Sequence, residues 1–348
     1  MESRLKYFPA PLFAVVMGLS GLAIAYQKAA AFFGYPKIIG TSLVYLTIAV
    51  FTIFAVTYLA KLIKYPEEVK EEFSHPVRIN FFPAISICFL LLSIALHKMS
   101  PVASKVLWYI GAPLHLFFTL YVIRYWIVKN LEIKHSNPAW FIPIVGNVLV
   151  PITGVNYGGI EIAQFYFSIG IFFWIVLFTI ILYRIVFHHQ MPAKFLPTLF
   201  IFIAPAAVGF ISYVKIAEGV ANITNGVVHT QYIIFDFFAH FLYDVGFFFT
   251  LLVFFMFRLF VKVPYAITWW AYTFPMAAMT ISSILNYHLN KVALEKGVMK
   301  IDYVFGMQKD MLFYYLANAL LWFTTLLIVY VAYRTIRAAL KREICVPE

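Results

Sequence analysis

The sequence predicts an all-α integral membrane protein: ten transmembrane helices in five helical hairpins, odd-numbered helices forming an inner pore ring and even-numbered helices an outer ring. Three observations predict it. Of 348 residues, 63% are hydrophobic and 20% aromatic, while only 12% are charged, against about a quarter charged in soluble domains. Apolar stretches long enough to cross a bilayer core, about 20 residues each, recur from end to end. Successive stretches also alternate in character, small and proline-bearing in the odd ones, bulky in the even ones.

The stretches lie at about 8–28, 38–63, 79–97, 103–127, 139–154, 160–187, 196–215, 230–260, 267–288 and 308–335. The loops between them are short and polar, and none is long enough to fold outside the bilayer. Residues 1–348 therefore read as a single polytopic membrane domain. Cys88 falls in an apolar span and Cys345 in the polar C-terminal tail, an arrangement that suggests neither a disulfide nor a CxxC metal site. Asn222-Ile223-Thr224 matches a glycosylation sequon, a weak signal in isolation.

Orientation follows from the basic residues. With the N-terminus inside, 17 of the 26 Lys and Arg fall on the inner side, which predicts both termini cytoplasmic. An even number of spans agrees with that. The expected location is the inner membrane of a bacterial or archaeal cell.

Each odd helix opens on aromatic residues, usually followed by proline: Tyr7-Phe8-Pro9, Phe81-Phe82-Pro83, Phe141-Ile142-Pro143, Phe195-Leu196-Pro197 and Trp269-Trp270, with Pro275 further on. Inside them stand small residues and further prolines, among them Gly18 and Gly21 in the first, Gly146 and Pro151 in the fifth, and Pro205 in the seventh. Even helices carry runs such as Phe172-Phe173-Trp174 and Phe247-Phe248-Phe249, with Pro113 as their one proline. Small residues let membrane helices approach closely, and proline is tolerated where neighbours or a cavity satisfy the freed backbone. Bulky helices suit the lipid boundary.

Ionisable residues within spans are functional candidates by default. The odd helices carry none between their ends. The deep candidates are His115 in the fourth helix and Asp236, His240 and Asp244 in the eighth, where the i, i+4, i+8 spacing puts three on one face. That set is expected to be a structural polar network; an intramembrane metal-dependent enzyme is the sharper alternative. The run Glu67, Glu68, Glu71, Glu72 reads as an interfacial helix with local charge pairs. No GxxxxGK[ST], HExxH or GxSxG pattern occurs, so ATP hydrolysis and the common hydrolytic chemistries have no signal. No metal, cofactor or nucleic-acid partner is expected. An uncharged inner ring inside a chain of formal charge +11 suits small inorganic anions, which a basic surface concentrates at the pore mouths.

Phe8-Pro9-Ala10-Pro11-Leu12-Phe13 with Met17-Gly18-Leu19 resembles the first helix of the tellurite-resistance/dicarboxylate transporter family. So do the stretch Asn137 to Gly146, Leu196-Pro197-Thr198-Leu199-Phe200-Ile201 with Ala204-Pro205-Ala206, and Trp269-Trp270-Ala271-Tyr272-Thr273-Phe274-Pro275. The family includes bacterial TehA-like proteins, yeast malate permease and the slow-type anion channels of plant guard cells. The resemblance implies five hairpins in quasi-fivefold order around a pore, and a homotrimer with one pore per subunit. It also implies a phenylalanine plug, matched here by Phe274 beside Pro275, and an aromatic pore residue at Phe13. The plant channels carry long cytoplasmic tails that receive phosphorylation; here only a few polar residues flank the first and last helices.

The function expected is a gated channel for small monovalent anions such as chloride and nitrate, with no enzymatic activity. The alternatives are a proton-coupled dicarboxylate carrier of the malate type and a tellurite-resistance exporter. A carrier needs a cation for each carboxylate and a titratable coupling group along its path, and the odd helices offer neither.

Overall fold

The computed structural model describes residues 4–223, 236–301, 303–304 and 306–346. In chain order its helices are α1 (Phe13–Phe32), α2 (Lys37–Lys64), α3 (Pro66–Ser74), α4 (Pro83–Leu96), α5 (Pro101–Val128), α6 (Ile142–Val145), α7 (Val150–Tyr157) and α8 (Ile160–Phe187). They continue with α9 (Ile203–Ile223), α10 (Phe237–Phe255), α11 (Phe257–Val261), α12 (Thr273–Glu295) and α13 (Lys309–Leu340). A two-residue hairpin, β1 (Tyr303–Val304) antiparallel to β2 (Met307–Gln308), precedes α13.

Five hairpins result, α1–α2, α4–α5, α6/α7–α8, α9–α10 and α12–α13. Their first members touch in the order α1, α4, α6/α7, α9, α12 and back to α1, which closes an inner ring. Burial separates the two rings. In the spans of α1, α4, α6/α7 and α9, 83% of the most apolar stretch is buried; in those of α2, α5, α8, α10 and α13 the share is 17–39%. Among the described residues nine spans are long and apolar enough to cross a membrane. α12 is the tenth by position; Asn286, His288, Asn290 and Lys291 lower its hydropathy, and Thr280, Ser282, Ser283, Asn286 and Asn290 are buried in it.

Every inner span begins with a 3₁₀ turn at the same face of the bundle: Ala10–Leu12, Arg78–Phe81, Pro138–Phe141, Ala193–Phe202 and Ile267–Tyr272. The prolines explain the placement. Pro83, Pro143 and Pro151 occupy the first two positions of α4, α6 and α7, and Pro205 and Pro275 are third in α9 and α12. A first-turn N–H has no intrahelical partner, so proline there sacrifices nothing. The fifth span is the most broken, with a second 3₁₀ turn (Gly146–Leu149) between α6 and α7. Pro113 sits inside α5.

Several boundaries correct the expectation. α1, α9 and α12 run past their expected ends to Phe32, Ile223 and Glu295. The eighth span was expected from residue 230, but α10 starts after its N-cap, Asp236. Thr224 of the sequon, like all of 224–235, lies outside the described residues. The acidic run forms α3 as expected, yet Glu72 is buried, not on a surface face. It accepts hydrogen bonds from Lys61 (2.7 Å) and Tyr58 (2.9 Å), while Lys61 also donates to the Phe8 carbonyl (2.9 Å). This ion pair fastens α2 and α3 to the segment that enters α1.

Candidate functional site

The face of the bundle where the described chain starts and ends will be called the terminal face, and the opposite one the distal face. Just inside the terminal face all five inner spans wall a cavity of about 60 Å³. Each contributes its 3₁₀ entry and first helical turns: Pro11, Ala14 and Met17; Phe81, Ala84 and Ile87; Phe141, Val145 and Leu149; Thr198, Ile201 and Val208; Ile267, Ala271 and Phe274. No lining residue is charged. The two threonines are also engaged, Thr198 donating to the Phe195 carbonyl and Thr268 to that of Lys194. A path through this cavity offers an ion neither a fixed charge nor a titratable group.

Phe274 lines the cavity and is buried. Its ring lies beside α1, where a Cβ at Gly21 would meet Phe274 Cδ2 at 3.4 Å. Gly18 serves the same helix contact, since a Cβ there would meet Thr273 Oγ1 at 2.2 Å. Gly146 and Pro275 belong to the cavity wall, whereas Gly18, Pro151 and Pro205 do not. Those three act at helix contacts and first turns.

Phe13 is a correction. It is not among the cavity residues, and its ring packs edge-on against Phe51, Phe54 and Tyr58 of α2. α1 is buried on nearly every side, so its sequence alone does not say which aromatic faces inward.

The polar residues singled out in the fourth and eighth spans do not form one site. His115 is fully buried between α4 and α6; its Nδ1 lies 2.8 Å from Ser86 Oγ, which itself donates to the Pro83 carbonyl. Thr119, one turn on, donates to the Pro143 carbonyl at 2.7 Å. The carbonyls of the prolines that open two inner spans thus each receive a side-chain hydroxyl. Asp236 is not deep: it caps α10 through the Ala239 N–H (3.0 Å) and accepts from Tyr213 (3.0 Å). His240 is half-buried and Asp244 exposed on the outside of α10, which packs on α9 and α12, away from His115.

The cavity abuts a vestibule of about 540 Å³ at the terminal face, sharing Pro11, Phe81, Ile267 and Thr268 with it. Lys6, Arg78 and Lys194 supply positive charge there, and Glu68, Glu72 and Glu343 negative. Lys6 pairs with Glu68 at 3.1 Å. Residues Glu343 to Val346 fold back into this vestibule. Burial pushes the Cys345 thiol up from its ordinary value, against the pull of Arg4 and Lys61, so it stays a thiol at neutral pH.

At the distal face the sequence reading needs a second correction. The longer helices place Lys28, Lys215 and His288 one to two turns inside α1, α9 and α12, so the inner ring does carry ionisable groups. A charge usually marks the edge of a span, so the sequence predicts helix ends at Lys28 and Lys215. No residue-type signal separated the two cases.

Residues 7–336 match the family described as voltage-dependent anion channel, SLAC1. The chain belongs to that family. An uncharacterized transporter of Methanocaldococcus jannaschii is 28% identical over 343 residues, covering 91% of this chain and 94% of the relative. The tellurite resistance protein TehA homolog of Haemophilus influenzae is 29% identical, covering 86% and 88%. The S-type anion channel SLAH2 of Arabidopsis thaliana is also 29% identical, over 80% of this chain but 52% of its own length. The resemblance read from the Phe-Pro entry motifs holds, and with it a membrane protein of channel or transporter type.

Proposed function

We propose that this protein is a gated channel for small monovalent anions such as chloride and nitrate, with Phe274 as its gate. One observation carries the reading: all five inner spans converge on a cavity without a single charged side chain, with Phe274 in its wall. An uncharged apolar passage binds no ion tightly enough to trap it, and a bulky ring in a narrow apolar segment blocks by occlusion and dewetting. The formal charge of +11 raises the local anion concentration at the protein surface.

The terminal face is assigned to the cytoplasm by the excess of Lys and Arg on that side. Assembly as a homotrimer, implied by the family resemblance, also suits Asp244. A carboxylate facing lipid near mid-span costs about 2.5–3.5 kcal/mol, a cost that a second subunit packed on α10 removes.

The test is bilayer electrophysiology of wild type and Phe274→Ala. The variant is expected to show a standing current that reverses near the anion equilibrium potential. An unchanged current from folded protein would remove Phe274 as the gate, and reversal near the cation potential would remove the anion channel.

A further inference from the structure

We infer that the distal mouth holds an anion-binding site of its own, built on Lys28 and Lys215, which takes up a small inorganic anion ahead of the apolar cavity. Its place in conduction rests on the channel reading; binding itself does not.

All five inner helices bring a residue to this region. α1 supplies Lys28 and Phe32, α9 supplies Lys215 and Glu218, and α12 supplies His288, whose ring stacks on Phe32 at 3.9 Å between centroids. The end of α4 supplies His97, with Nδ1 2.8 Å from the hydroxyl of Tyr157 at the end of α7, and Lys98 follows it. These groups share one electrostatic neighbourhood. Lys215, Glu218 and Lys98 all act on Lys28, and Lys28, Lys215 and Lys98 all act on His97. His288 feels Lys28, Lys215, Glu218 and Glu295.

The charges there do not balance. Lys215 is paired with Glu218, and Lys291 with Glu295 at 4.0 Å. Lys28 is half-buried, lies 5.8 Å from the centroid of the Phe32 ring, and has no carboxylate within ion-pairing distance among the described residues. Lys28, Lys98 and Lys215 against Glu218 leave two net positive charges before either histidine is counted.

Two lysines beside the terminal vestibule, by contrast, have carboxylate partners: Lys61 is bound by Glu72 and Lys6 by Glu68. An ammonium withdrawn from water without a counter-charge is unfavourable, and a mobile anion is the partner that removes the penalty. Because Lys28 and Lys215 stand on inner helices, an anion held between them is at the entrance to the ring, not on the lipid side.

Chloride serves as the probe. Chloride-35 line broadening is measured on purified full-length protein for wild type, Lys28→Met, Lys28→Arg and Lys215→Met. Wild type is expected to give an excess broadening that saturates with chloride. Lys28→Met should abolish it and Lys28→Arg should keep it. Broadening unchanged in both Lys28→Met and Lys215→Met overturns the site. Should Lys28→Met not fold, Lys215→Met carries the same two outcomes, its side chain being 25% exposed.

A parallel measurement uses Phe274→Ala currents at low ionic strength. Adding Lys28→Met should reduce chloride entry from the distal side about tenfold and leave entry from the terminal side intact, the size expected for a lost focusing charge. Protein that broadens the chloride line through Lys28 yet passes no current keeps the site and loses the channel. Protein that conducts, with broadening indifferent to Lys28 and Lys215, keeps the channel and loses the site.

Discussion

α1 and α2 form one hairpin and obey opposite rules. α1 has fourteen of its 20 residues buried, yet the mean hydropathy of its span is 1.6; α2 buries six of 28 residues at a mean hydropathy of 2.2. The helix that packs inside the protein is the less hydrophobic of the two. α12, with 18 of its 23 residues buried, goes the same way, and its span fails on hydropathy. The inner spans of α4 (2.3 against 1.7 for α5) and α9 (2.0 against 1.8 for α10) go the other way, so hydropathy does not by itself sort the two rings. In water apolar residues go inward because solvent expels them. In a bilayer lipid is as apolar as leucine, so the interior is won by small residues and paired polar groups that let backbones close up.

That contrast can be attacked at three strengths, each read as unfolding free energy in one detergent. The largest effect is expected from Lys61→Met, which strands the buried Glu72 carboxylate and should cost about 3–5 kcal/mol. Adding Glu72→Gln should recover part of that loss. Equal losses in the single and double variants would mean the pair contributes nothing specific. Next comes Gly146→Ala in the inner ring, where a Cβ would lie 2.1 Å from His115 Cε1; a cost of about 1–3 kcal/mol follows from overpacking. Adding His115→Ala should reduce this penalty, and strictly additive losses would deny the contact. The smallest effect belongs to the outer ring. Ile53 on α2 is 61% exposed, and Ile53→Ala should change stability by no more than about 0.5 kcal/mol. A loss there equal to that of Gly146→Ala would erase the distinction between the rings.

The hairpin alternation was legible because it rests on residue size and on proline, both local properties of the chain. Proline at the first turns of α4, α6 and α7 announced where the inner helices begin. Their distal ends were not legible, since Lys28, Lys215 and His288 looked like edges while the helices continued around them. Asp236 shows the reverse error. The apolar residues Tyr232 to Phe235 carried the eighth span back past a capping signal, the Asp236 carboxylate on the Ala239 N–H, which the sequence did contain. The direction of Phe13 was beyond reach, because a helix buried all round has no polar face to orient it. His115 was visible as a buried histidine, but its partner Ser86 lies 29 residues away on another helix, a separation that no local pattern spans.

The Gly146–His115 contact also bears on how thick the wall of the cavity is. Gly146 belongs to the cavity lining and has no side chain, and His115 of α5 presses directly behind it. At that point a single strand of backbone separates the cavity from a helix of the outer ring. The two rings are therefore not a pore and its insulation. A substitution on α5, far from any residue an ion would touch, can set the bore of the cavity, so variation among relatives on their lipid-side helices belongs in any account of how they differ in conductance.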